Sequence, residues 1–101
     1  MSRIEALGQV ITSLNAELAA LKAFDIVALA EATDIKEQRI ALLASGQDNP
    51  LSTEERALAE EAMRLNELAR VYVNLMSANV RQRLEALTGT APVAYTPRAA
   101  A

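Results

Sequence analysis

The sequence predicts an all-α fold: a long antiparallel two-helix hairpin, coiled-coil-like, open to completion as a three- or four-helix bundle by a partner or by dimerisation. Three observations predict it. Apolar residues recur at helical spacing in two long runs, neither interrupted by proline. A short polar segment carrying Gly46 and Pro50 separates them. Half the chain is apolar, yet the only aromatics are Phe24, Tyr72 and Tyr95, a composition of long helices and not of a thick-cored enzyme. With 101 residues, the chain holds one domain at most. The expected organisation is a hairpin over 1–89, with helices at about 3–45 and 53–88, and a flexible tail over 90–101.

The first helix is read from Ile4, Leu7, Ile11, Leu14, Leu18 and Leu21, which alternate by three and four. Asp25 then stands where an apolar residue is due, and the pattern resumes as Ile26, Leu29, Thr33, Lys36, Ile40 and Leu43. That slip in phase reads as a stutter that unwinds a supercoil without ending the helix. Ser45-Gly46 ends it, with Gly46 suited to a left-handed position, and Pro50 bars continuation.

The second helix opens on Ser52-Thr53-Glu54-Glu55, a capping box in which hydroxyl and carboxylate satisfy each other's backbone amides. From Leu58 its apolar stripe runs Ala62, Leu65, Ala69, Val73, Met76, Val80, Leu84 and Leu87. Beside it lies a second strip, Leu68, Tyr72, Leu75 and Ala86. The two together are broader than the seam of a two-stranded coiled coil, so the helix is built to touch more than one neighbour. Gly89 stops it, and the proline-containing tail carries Val93 and Tyr95. A two-helix hairpin buries only the inner part of each stripe. The remainder forms an apolar groove that a twin hairpin or a foreign helix must cover.

Composition excludes most chemistry. The chain has no Cys and no His, which removes disulfides, thiolate and imidazole metal sites and nearly all nucleophile–base pairs. No cofactor and no metal is expected, and the chain is read as no enzyme. Net charge is −3 without a basic run, which argues against nucleic acid. No stretch is apolar for the roughly 20 residues of a membrane span, so no membrane insertion is expected. The N-terminus carries Glu5 where a secretion signal turns apolar, and a cytoplasmic location is the plain expectation. Asp25 and Lys36 stand on the apolar face of the first helix. They are either specificity devices of a polar seam or, for Lys36, a stem that snorkels past the core edge, and for Asp25 a solvated spot. Adjacent acids such as Glu54/Glu55 and Glu60/Glu61 point to different faces and read as helix surface. Asn66, Asn74 and Asn79 either bond across an interface or sit at stripe borders.

Glu17, Leu21-Lys22, Asp25, Leu29, Lys36 and Leu42-Leu43 together resemble the first long helix of the FlgN-type flagellar export chaperones. The linker Pro50-Leu51-Ser52 with Glu54-Glu55, the Asn66 and Asn74–Asn79 region, the run Asn79 to Leu87, and the tail with Tyr95 before Pro97-Arg98 are similar too. The resemblance implies a cytoplasmic type III export chaperone that binds hook–filament junction proteins and keeps them export-competent. Its partners would be the helical termini of flagellar hook-associated proteins and components of the export apparatus. In that family the C-terminal part of the second helix and the tail engage the client. The residues so implied are Val73, Met76, Val80, Leu84, Leu87, Val93 and Tyr95. The chain is shorter than many members, so contacts made by any further C-terminal helix are not expected of it. The alternative is a homodimeric coiled-coil scaffold or adaptor with no export role, both strips being used in self-association.

Overall fold

The computed structural model describes residues 1–46 and 48–89, and these form three helices: α1 (Arg3–Ala23), α2 (Ile26–Ala44) and α3 (Thr53–Thr88). No strand occurs among the described residues. Residues 90–101, with the flexible tail expected there and the expected roles of Val93 and Tyr95, lie outside the described residues.

The continuous helix expected over 3–45 is two helices, folded back on themselves at Phe24 and Asp25. Phe24 adopts the left-handed conformation, φ 57° and ψ 35°. Its amide and that of Asp25 then return to the Leu21 and Ala20 carbonyls, at 3.2 and 2.9 Å. This is how a helix C-terminus is closed when the chain must reverse. The Asp25 carboxylate accepts from the Ala28 amide at 3.0 Å and caps α2. An aspartate whose carboxylate can bond a backbone amide three residues on competes with helix continuation, and here it wins. The phase slip therefore marks a corner and not a stutter.

Two capping boxes of the same design start α1 and α3. Ser2 Oγ accepts from the Glu5 amide at 3.1 Å while Glu5 Oε1 accepts from the Ser2 amide at 2.9 Å. Ser52 and Glu55 repeat the exchange at 3.1 and 2.8 Å. Both carboxyls are held below the usual carboxylate range, Glu5 chiefly by the Ser2 amide and Glu55 first by the Arg3 guanidinium. Gly46 is not left-handed; Gly89, at φ 79°, is the one glycine of positive φ among the described residues.

Helix α1 is the centre of the molecule. It packs against α2 on one side and α3 on the other, whereas α2 and α3 scarcely meet. Arg3 donates to the Asn49 and Pro50 carbonyls and to Glu55 at 2.8 Å, tying the start of α1 to the start of α3. At the far end Lys22 Nζ lies 5.6 Å from the centre of the Tyr72 ring, a cation–π contact. These two ties set α1 and α3 parallel, with α2 antiparallel to both. The core they enclose is Val10, Leu14, Leu18 and Leu21 of α1 against Ala62, Leu65 and Ala69 of α3. The alanines on α3 let its backbone approach α1 closely.

Helix lengths decide what is left over. With 36 residues α3 is about 54 Å long, the full 55 Å length of the molecule, while the 21 residues of α1 cover about 32 Å of it. Beyond Met76 the helix runs on past the corner at Phe24.

Candidate functional site: an open helix-wide groove

With α1 as floor, α2 and α3 stand as separate walls, and the space between them is a groove running along the molecule. Its character changes along its length. Near the start of α3 it is lined by Leu7, Val10, Ile40, Leu43, Ala59 and Met63. In the middle it is polar, and at the corner it widens into an apolar concavity of about 530 Å³.

The polar middle is built from residues of all three helices, two of them from α2. Glu17 of α1 is 4% exposed, a buried carboxylate. Lys36 Nζ of α2 lies 3.1 Å from both of its oxygens, and Thr33 Oγ1 donates to Oε2. Lys36 also donates to Asn66 Oδ1 of α3 at 3.4 Å. A buried carboxylate needs a charge partner and saturated acceptors, and this cluster supplies both. Of the two readings for Lys36, the structure shows a side chain paired across the helix junction. Asp25 is neither a seam residue nor an idle one; it is a cap. Glu17 lies off the apolar stripe and enters the sequence analysis only through the resemblance; the corner is what brings α2 over it.

The apolar end is where most of the implied partner-binding residues sit. Val73, Met76, Val80 and Leu84 line one wall, with Ser77 and Arg81 at its edge. Leu21, Phe24, Ile26 and Leu29 form the opposite wall and floor. Leu87 lies beyond the groove and is 83% exposed. The opposite wall was missed in the sequence because a continuous first helix carries Phe24 and Ile26 straight on, along adjoining faces, with no corner to gather them beside Val80 and Leu84. The signal available was Asp25 itself, a strong N-cap residue directly before an apolar-periodic run.

Phe24 and Ile26 are 56% and 64% exposed, and Val80 and Leu84 46% and 56%. These are large apolar side chains gathered around one concavity, and singly exposed leucines elsewhere on a surface need no such explanation. Among the described residues no cluster of His, Cys, Asp or Glu could hold a metal ion, and no helix is long and apolar enough to cross a membrane. The arrangement sets an open apolar concavity directly beside the polar cluster of Glu17, Lys36 and Asn66. Compared with known proteins, the chain matches no family model, no curated protein and no solved structure.

Proposed function

We propose that this chain is a small cytoplasmic chaperone of the flagellar type III export class, a binder and not an enzyme, whose groove holds a helical terminus of a hook–filament junction protein and keeps it export-competent. The reading joins the resemblance of the sequence to FlgN-type chaperones with one structural observation. The stripe of α3 that is buried at Ala62, Leu65 and Ala69 continues uncovered through Val80, Leu84 and Leu87, beside the exposed Phe24 and Ile26. A helix laid in the groove would complete a four-helix cross-section at the corner.

The test is a pull-down with a purified hook–filament junction protein encoded in the same genome. The native chain retains it. Val80→Asp and Leu84→Asp abolish retention while far-ultraviolet circular dichroism stays nearly unchanged, because neither side chain belongs to the packed core. Undiminished retention by both variants contradicts the proposal. Loss of helicity in either would show that the residue holds the fold and does not form a docking wall.

A further inference from the structure

We propose that in the absence of any client the corner groove is closed by a second copy of this chain, through an antiparallel pairing of the two distal α3 segments about Val80. From Val73 the apolar positions step by 3, 4, 4 and 3 to Leu87, an order that reads the same from either end. Turning a second α3 end for end about Val80 sets Val73 opposite Leu87, Met76 opposite Leu84, and Val80 opposite itself. At 100° per residue these five positions share an arc of about 80°, narrow enough to form one seam. The proximal steps, 4, 3, 4 and 4 from Leu58 to Val73, lack this symmetry. Self-complementarity about a point is what a two-fold interface requires.

Area supports the pairing and charge does not bar it. Across the seam Arg83 lies beside Met76 and Asn79 of the second copy, and the two Arg81 side chains share one exposed flank, where solvent and salt screen them. The corner residues Phe24 and Ile26 would cover the outer side of the incoming helix. Together with Val73, Val80, Leu84 and Leu87 they expose apolar surface on the order of 600 Å² per chain, most of the roughly 800 Å² each partner gives to a standard interface. The segment 77–88 reaches about 18 Å past the corner, which lets the second bundle sit end to end with the first. The pairing competes with a client helix for the same groove, but it does not require the export reading to hold.

The absence of cysteine from the chain makes the test clean. Val80→Cys, mildly oxidised, is expected to give a disulfide-linked dimer. Leu84→Cys alone is expected to give about tenfold less, and an equimolar mixture of Met76→Cys and Leu84→Cys a mixed dimer, because only facing positions come within disulfide reach. By light scattering the native chain is a dimer that dissociates on dilution. Val80→Glu, which sets two carboxylates on the axis, weakens it at least about a hundredfold without loss of helicity. A native chain that stays monomeric at every concentration overturns the pairing, whether or not a junction protein binds it. Equal self-crosslinking at Val80→Cys and Leu84→Cys overturns it too, because that indicates a parallel or unspecific association.

Discussion

Between Leu58 and Ala69 the apolar stripe of α3 lies against α1; between Val73 and Leu87 the same stripe, on the same helical face, borders a groove and then open solvent. Nothing in the residue types explains the difference. If anything the distal half is the more apolar, carrying Val, Met and Leu where the proximal half carries Ala62 and Ala69. The cause is the length of α1, which stops at Ala23 because Phe24 and Asp25 turn the chain back. A packed helix and an uncovered apolar face are here one pattern, divided by where the neighbouring helix ends.

The largest effects should separate the two halves. Leu65→Asp buries an unpaired carboxylate in the core and should cost about 4 kcal/mol or more, close to the whole stability of a chain this small. In urea unfolding it should behave as unfolded or nearly so. Leu84→Asp, one stripe position among the exposed set, should leave the urea midpoint almost where it was when both chains are monomeric. Similar losses from the two would break the distinction.

The next effect belongs to the polar junction between them. Lys36→Met leaves the Glu17 carboxylate buried without its cation and should destabilise by about 3 kcal/mol. The pair of changes Glu17→Leu with Lys36→Met replaces ions by apolar groups of similar volume and should recover most of that loss. A double-mutant cycle read by urea unfolding measures the coupling.

Smaller again is the corner. Phe24→Gly relieves a left-handed conformation that costs an ordinary residue about 1–2 kcal/mol, while removing a side chain that is more than half exposed. A net gain of up to about 1 kcal/mol is expected, visible as a raised thermal midpoint. The same change removes one wall of the groove, so it should weaken docking while it stabilises the fold.

Much of this architecture is written in local chemistry. The Ser52–Glu55 box, the polar stop at Ser45–Pro50 and the stripe on α3 follow from spacing and capping alone, because each is decided within a few residues. The corner at Phe24 was not legible in that way. Leu21 to Ile26 is a conflict between apolar periodicity, which continues, and a single cap residue, which does not. Periodicity extended over forty residues outweighs one aspartate on paper. In the folded chain the turn also lets Glu17, Lys36 and Asn66 meet, a gain that no local reading contains. The α3 wall of the groove, Val73, Met76, Val80 and Leu84, was legible as one stripe because these residues lie on one helix. Their opposite wall could not, since it exists only through the corner.

The weakest expected effect lies at the proximal end. The Glu55 carboxyl is lowered to about 2 by Arg3, the Ser52 amide adding to it. A carboxyl lowered on folding contributes stability above its unfolded value, near 4.5, and loses it as pH falls toward 2. The urea midpoint should therefore drop across that window. Arg3→Ala should flatten the drop without removing it, because the Ser52 amide still favours the charged form.

Amide hydrogen exchange along α3, at concentrations where the chain is monomeric, tests the central contrast most directly. About a dozen helical residues without a neighbour are marginal in water. Amides from Ala62 to Ala69 should exchange near the rate of global unfolding, and those from Ala78 to Ala86 faster by orders of magnitude. Equal protection over the two halves would contradict the account, because it would mean that the distal stripe is already covered.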